Sequence, residues 1–332
     1  MQRAKDGAES CPKAWWAGWE GPVAIGSHCA DGITLEGDGW LVLGRGGDDR
    51  IEVTGSGLFE GASSIFGGGG NDVIQVQGGG NYVAGGTGDD EIQMGFFTAP
   101  SFNNRVFGDS GNDVIAISGS GNLLRGGDGN DLLFVDGFRT HGNDLFGEAG
   151  DDLLIAWTRQ ARMDGGDGDD VLEANSPGDS LFYTDDIGAV MTGGSGRDSF
   201  SARPGNMVLV DGGHDGLVSE GDRLTGIIDI ITDYEAGERL SLEAAAERVE
   251  TVRLSQAEPT WAGAHPALLE PGQHAVFRGR LDEREGFFVR AGGPDLLLLH
   301  GGGPDGFYGL DESIARGLLV LRSWPGEAPV IG

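Results

Sequence analysis

The stretch Gly67-Gly68-Gly69-Gly70-Asn71-Asp72-Val73-Ile74-Gln75 is followed by a second one of the same form, Gly85-Gly86-Thr87-Gly88-Asp89-Asp90-Glu91-Ile92-Gln93. Both fit the nonapeptide G-G-x-G-x-D-x-U-x, in which U is a large apolar residue. Clean or slightly degenerate copies also begin at Gly44, Gly108, Gly126, Gly147, Gly165 and Gly193. A flexible linker rich in glycine and aspartate would not keep an apolar residue at one position in every copy. The pattern therefore predicts a repeat fold.

The nonapeptide resembles the calcium-binding repeat of RTX proteins. The shortest spacing between sixth-position aspartates, as from Asp72 to Asp90, equals two nonapeptides, and two nonapeptides make one coil of a parallel β-roll in that family. The resemblance implies an all-β fold, a right-handed parallel β-roll (β-helix solenoid) followed by a β-rich C-terminal capping and secretion region. We expect an N-terminal cap over 1–40, the roll over 41–201 and the C-terminal region over 202–332.

Calcium is the ligand that the glycine-rich turns favour. It takes about six to eight hard oxygens, and glycine permits the positive φ that turns carbonyl groups inward. The sixth-position carboxylate adds negative charge. In the RTX family each ion lies between stacked turns, so eight turns would hold up to seven Ca²⁺ ions. The predicted ligands are Asp49, Asp72, Asp90, Asp113, Asp131, Asp152, Asp170, Asp198, Gly67, Gly69, Gly85, Thr87, Gly108, Ser110, Gly126, Asp128, Gly147, Ala149, Gly165 and Asp167.

The opposite half of each coil has lost its aspartate. Counting one nonapeptide back from Asp90, Asp113, Asp131 and Asp152 leads to Asn81, Asn104, Asn122 and Asn143. Asparagine tolerates left-handed backbone, so these side chains are expected to hydrogen-bond the turn. The alternative is that some of them offer carbonyl oxygens to a metal.

Apolar residues fill the eighth position of every copy. They are predicted to stack as a ladder inside the narrow roll: Ile51, Ile74, Ile92, Ile115, Leu133, Leu154, Leu172 and Phe200.

The spacings longer than two nonapeptides carry extra residues, which must lie on the asparagine flank if the aspartates are to stay in register. These insertions contain Leu58-Phe59, Phe96-Phe97 with Phe102, Phe138, and Leu181-Phe182-Tyr183. Two interpretations stay open. The rings cover the roll as core, or they form an aromatic row that binds a partner or a glycan.

The period stops at about Ala202. The segment that begins Asp229-Ile230-Ile231-Thr232-Asp233-Tyr234 resembles the closing element of RTX rolls, with tyrosine in place of the usual phenylalanine. Residues 286–290 and 295–300 are predicted strands. The resemblance implies an uncleaved C-terminal signal for the type I secretion machinery, and a chain that folds on extracellular calcium.

Composition narrows the partners further. The net charge is −31, which disfavours nucleic acid and anionic membranes and favours divalent cations. The two cysteines, Cys11 and Cys29, form no C-x-x-C motif, so they form a disulfide or stay as free thiols. The N-terminus lacks the apolar core of a signal peptide, and no apolar run has the length of a transmembrane segment.

No motif of a catalytic site is present. There is no H-E-x-x-H and no G-x-S-x-G, and we expect a protein that is not an enzyme. The predicted function is a secreted calcium-binding structural or binding module, in one version an adhesive one that binds an extracellular glycan or a cell-surface component. The alternative is an accessory module of a secreted enzyme or toxin, with an unrecognised hydrolase site in 202–332.

Overall fold

The computed structural model describes residues 15–16, 22–55, 62–95, 101–175, 187–202, 207–210, 223–226, 228–235, 238–242, 250–252, 273–282, 286–290, 292–300 and 316–322. Every regular secondary-structure element in these residues is a β-strand. The chain divides into two compact units, Met1–Thr158 with Arg162–Asp170, and Arg159–Ala161 with Val171–Gly332. They are called unit 1 and unit 2. No helix in the described part of the chain is long and apolar enough to cross a membrane.

The strands of unit 1 are short, as expected for the coils of a roll. They are β1 (Trp15–Trp16), β2 (Val23–Ile25), β3 (Gly32–Glu36), β4 (Leu41–Leu43), β5 (Arg50–Thr54), β6 (Ser64–Gly69), β7 (Val73–Val76), β8 (Tyr82–Thr87), β9 (Glu91–Met94), β10 (Ser101–Phe102), β11 (Arg105–Ser110), β12 (Val114–Ser120), β13 (Leu123–Asp128), β14 (Leu132–His141), β15 (Asp144–Ala149), β16 (Leu153–Arg159) and β17 (Arg162–Asp167).

Alternate strands of unit 1 pair in parallel. One sheet, called the front sheet, contains β2, β4, β6, β8, β11, β13, β15 and β17 in that order. The second, the back sheet, contains β3, β5, β7, β9, β12 and β14. Because successive strands alternate between the sheets, each pair forms one coil, and the predicted parallel β-roll is confirmed. The stacking includes β2 and β3, which lie inside the segment expected to be an N-terminal cap.

The core of unit 1 is one side chain thick on each sheet. The predicted ladder is confirmed on the back sheet, where Ile51, Ile74, Ile92 and Ile115 pair in register and are fully buried. The predicted members Leu172 and Phe200 are buried in unit 2, and Leu133 and Leu154 are also buried in unit 1. The front sheet faces them with a second buried ladder: Val42, Ile65, Val83, Val106, Leu124, Leu145 and Met163.

Most of the insertions lie outside the described residues, including residues 58–59, 96–97 and 181–183. Phe102 lies in β10, which pairs in parallel with β12, and its side chain is half-buried. Phe138 lies in β14. Whether the inserted rings form a row therefore stays a prediction.

Unit 2 combines short parallel strands with antiparallel ones. Its strands are β18 (Val171–Ala174), β19 (Ile187–Ser195), β20 (Ser199–Ala202), β21 (Met207–Val210), β22 (Arg223–Gly226), β23 (Ile228–Ile231), β24 (Arg239–Leu242), β25 (Glu250–Val252), β26 (Gln273–Asp282), β27 (Gly286–Val289), β28 (Asp295–His300) and β29 (Arg316–Leu321).

The predicted closing element continues the parallel stacking in unit 2. Strand β23 pairs in parallel with β19, and β24 pairs in parallel with β20. Asp233 accepts hydrogen bonds from the N–H groups of Gly193 and Gly194, both at 2.9 Å. The two strands predicted at 286–290 and 295–300 are present as β27 and β28, and both pair antiparallel with β26.

Candidate metal centre

The sixth-position aspartates of unit 1 form a hydrogen-bonded column, called the carboxylate column. The Oδ1 atom of each one accepts the backbone N–H of the preceding member. The N–H of Asp72 donates to Asp90 at 2.7 Å, and the N–H of Asp90 donates to Asp113 at the same distance. The second pair spans an insertion and the first does not, so insertions leave the register of the column unchanged. Further bonds of 2.7–2.8 Å extend it through Asp49, Asp131, Asp152 and Asp170.

In six members of the column the second carboxylate oxygen has no hydrogen-bond donor. In the described structure, Oδ2 is buried without a partner in Asp49, Asp72, Asp90, Asp113, Asp131 and Asp152. The whole side chains are only 1–3% exposed. A buried carboxylate oxygen without a donor is costly. A cation beside the column would remove that cost.

Burial shifts the acidity of the column in the direction expected for such a site. Burial, together with the negative charges of Asp113 and Asp72, raises the pKa of Asp90 from 3.8 to about 7. The N–H that Asp72 donates lowers the pKa of Asp90, but by less than the other causes raise it. The pKa is raised to about 7 in Asp49 and Asp152, and to about 6 in Asp72, Asp113 and Asp131.

At five of the first glycines, two oxygens point into the space that a side chain would take: Gly44, Gly67, Gly108, Gly126 and Gly147. A Cβ atom built on Gly67 would lie 2.2 Å from Oδ2 of Asp72 and 2.6 Å from the carbonyl oxygen of Gly85, one coil further on. The corresponding distances at Gly147 are 2.1 Å to Asp152 and 2.4 Å to the carbonyl oxygen of Gly165. Calcium binds both carboxylate and carbonyl oxygens, so the residues present fit this metal. The arrangement recurs at Gly108 and Gly126.

Replacement of Gly85 by alanine is expected to damage both the column and its metal sites. The new Cβ would lie 2.2 Å from Oδ2 of Asp90, and the hydrogen bond from Asp72 holds that carboxylate in place. We expect a loss of about 1–3 kcal/mol of unfolding free energy, as for other overpacked sites, and a higher calcium midpoint. Urea unfolding in saturating calcium and a calcium titration measure the two effects.

Gly46→Ala is the matched control, because the nearest atom to its Cβ would be 3.7 Å away. Equal behaviour of the two variants would show that the first glycine is not part of the site.

The third-position residues present their carbonyl oxygens along the same flank. Those of Thr87, Ser110, Asp128, Ala149 and Asp167 each accept an N–H of the preceding coil at 2.8 Å. A carbonyl oxygen has two lone pairs, so each keeps one for a metal. Gly69 is the third-position residue of the copy that begins at Gly67. The N–H of the residue after it, Gly70, donates the bond to the carbonyl oxygen of Thr87. A metal role for these residues stays a prediction.

The asparagines hydrogen-bond from coil to coil as the aspartates do, but both polar atoms of the side-chain amide find partners. The Oδ1 of Asn104 accepts the backbone N–H of Asn81 at 2.8 Å and also its side-chain Nδ2 at 3.1 Å. Asn104 makes the same two bonds to Asn122, both at 3.0 Å. Both polar atoms of the amide are therefore satisfied within the protein. This flank hydrogen-bonds the turns, as predicted, and its asparagines need no metal for that purpose.

Two carboxylates outside the repeat pattern take part in bonds of the same kind, one in each unit. In unit 1, Asp31 accepts an N–H from Ser27 on Oδ2 and donates its own N–H to Asp49 at 2.7 Å. In unit 2, Glu238 accepts the N–H of Asp198, and burial raises its pKa to about 7. Asp31 stands two nonapeptides before Asp49, and that spacing was the available signal for it. Glu238 stands near the aspartate expected in the closing element that begins at Asp229, and that resemblance was the available signal for it.

The described residues contain no cluster of three or more His, Cys, Asp or Glu side chains that could hold a metal ion. A site in this column must therefore combine the carboxylates of neighbouring coils with backbone carbonyl oxygens. This composition is ordinary for calcium and unsuited to zinc, which prefers histidine and cysteine.

Comparison with protein families agrees with this geometry. The model of the RTX calcium-binding nonapeptide repeat matches residues 59–92, 101–116, 117–138 and 162–179. These segments include Asp72, Asp90, Asp113, Asp131 and Asp170 of the carboxylate column. No curated protein and no solved structure matches the chain. The nonapeptides of this protein are RTX calcium-binding repeats, and they form a parallel β-roll.

Proposed function

We propose that this chain is a secreted, non-catalytic module whose roll folds when calcium fills the carboxylate column. The row of buried Oδ2 atoms without donors carries the proposal. Without a cation, those atoms place unsatisfied negative charge one coil apart in a narrow core. With Ca²⁺ they supply ligands, and up to seven ions would lie in the gaps between the eight predicted turns.

The energetics favour folding outside the cell. Extracellular calcium modules bind with dissociation constants of about 0.1–1 mM. At roughly 1 mM calcium a site at the tighter limit adds about 1.4 kcal/mol of stability by linkage. Several such sites together approach the ~5–15 kcal/mol that stabilises a whole domain. At the far lower calcium concentration of the cytosol this contribution vanishes, so the chain would stay loose until export.

Two further observations support an extracellular location. Cys29 is disulfide-bonded, and disulfides persist mainly in oxidising compartments. Cys11 lies outside the described residues. The second observation is the resemblance to substrates of type I secretion, in which a C-terminal signal directs export. Within this role the roll would act as a structural or binding module, adhesive in one version.

Far-UV circular dichroism during a calcium titration tests the proposal, with magnesium as the control metal. We expect a cooperative gain of β signal at about 0.1–1 mM calcium and none with magnesium at the same concentration. A chain that is fully β in excess chelator, and is unchanged by calcium, would contradict calcium-dependent folding.

A further inference from the structure

The outer face of the front sheet carries a row of aromatic and arginine side chains. Phe66, Ala84, Phe107, Arg125 and Phe146 pair in register on neighbouring strands. The side chains next to them in the chain are buried ladder residues, so this column points outward. Neighbouring strands lie about 4.8 Å apart, which sets the spacing of the rings.

Tyr82 closes the gap that Ala84 leaves in this row. Its ring centroid lies 5.5 Å from that of Phe66 and 5.1 Å from that of Phe107, with the second pair stacked. The Tyr82 side chain is 37% exposed. Further along, the guanidinium of Arg125 lies 4.9 Å from the centre of the Phe146 ring. We call this surface, from Phe66 to Phe146, the aromatic strip.

A cleft of about 220 Å³ opens beside the strip at Gly127. Gly127 pairs with Asp109 on one side and Glu148 on the other, and all three residues line the cleft. Phe107 and Arg125 also line the cleft, and Arg125 forms an ion pair with Glu148. One aromatic ring, one guanidinium and the carboxylates of Asp109, Asp128 and Glu148 therefore line this opening.

We propose that the aromatic strip and its cleft bind a neutral polysaccharide. Sugar rings present C–H faces that pack on aromatic rings, whose π faces are negative. Their hydroxyl groups donate to carboxylates and accept from guanidinium, the groups found in the cleft. A row of rings at the pitch of the coils suits an extended polymer better than a single small molecule. The inference rests on the proposed function, because the strip exists only on the folded roll.

Charge selects a neutral polymer over an anionic one. The cleft contains the carboxylates of Asp109, Glu148 and the predicted calcium ligand Asp128 against the guanidinium of Arg125, and the chain without bound metal carries −31. A polyuronate, a nucleic acid or an anionic membrane would meet repulsion here.

Affinity electrophoresis in native gels tests this proposal. The full chain in saturating calcium is run through gels that contain a glucan, a mannan or a galactan, with a polyuronate gel for comparison. Circular dichroism first establishes that each sample is folded. The variants are Tyr82→Ala with Phe107→Ala, and separately Arg125→Gln. The control is Trp157→Ala, which removes a side chain that is 48% exposed on β16, away from the strip.

We expect retardation by at least one neutral polysaccharide, and an affinity about tenfold lower once the two ring contacts are removed. Arg125→Gln should also weaken binding, whereas Trp157→Ala should not. The assignment is overturned if no neutral polysaccharide retards the folded chain, if only the polyuronate does, or if Trp157→Ala weakens binding as much as the strip variants. A chain without a calcium-dependent β signal contradicts the proposed function instead, and removes the strip with it.

Discussion

Replacing Asp72, Asp90 and Asp113 together by asparagine is expected to have opposite effects with and without calcium. In chelator the variant should hold more β structure and unfold at higher urea than the native chain. In saturating calcium it should be less stable than the native chain and should bind fewer ions.

The asparagine flank supplies the physical reason. There, each Oδ1 accepts the N–H of the preceding coil, and each Nδ2 finds an acceptor, as between Asn81 and Asn104. Asparagine in the carboxylate column would keep the bond to the preceding N–H and replace a buried, unsatisfied Oδ2 by a donor. Leaving a buried polar atom unpaired costs about 1–3 kcal/mol, and more if it is charged. The unfolding free energy of the metal-free chain should rise by an amount on that scale for each substituted position. In the presence of calcium, each substitution removes a charged ligand from the ion.

Asp48, Asp89 and Asp151 provide a charge-matched control at the fifth position. Their Oδ1 atoms accept the N–H groups of Asn71, Asn112 and Asp169, and these bonds are exposed. Substituting all three by asparagine removes the same charge and should change neither metal-free folding nor the number of bound ions. If both triple variants respond alike, the effect is one of net charge, and the column has no special role.

Acidification from about pH 8 to about pH 5 is expected to stabilise the calcium-free roll and to weaken calcium binding. Burial raises the pKa of Asp49, Asp90 and Asp152 to about 7, from 3.8. Between about pH 4 and pH 7 the folded chain therefore binds more protons than the unfolded chain. Its unfolding free energy rises as the pH falls through this window and is lost as the pH rises through the folded pKa.

Protons and calcium compete for the same oxygens, so the calcium midpoint should move to higher concentration at the lower pH. Thermal melts in calcium-free buffer and titrations at both pH values measure the two parts. Metal-free stability that increases from about pH 5 to about pH 8 would contradict the buried, protonated state of the column. The Asp72, Asp90 and Asp113 triple variant should lose part of the pH dependence.

The repeat pattern predicts most of the fold because two of its positions have fixed structural roles. The sixth-position spacing defines the column, and the eighth-position residues, such as Ile74 and Ile92, define the core. In the coil of Asp31 only Gly26, Asp31 and Ile33 keep the pattern, so a motif search passes over it.

Some features of the site depend on which strands pair, and residue spacing in the sequence does not reveal them. The bond between Asp198 and Glu238 in unit 2 follows from the pairing of Ser199 with Arg239, across a long connection. The missing donor to Oδ2 in the six aspartates of unit 1 is likewise a property of the packed coils. The aromatic strip had a signal that was missed, since Phe66, Phe107 and Phe146 each directly precede the first glycine of a repeat. Tyr82 joins them only because its ring leans over Ala84.

The constant hydrogen bonds of the carboxylate column separate what must stay fixed from what is free to vary. Asp49 and Asp72 are bonded at the same 2.7 Å as Asp72 and Asp90, although the first pair is further apart along the chain. The step of the column is therefore independent of the chain length between its members. Coils of different length can follow one another in one roll without moving the predicted calcium ligands.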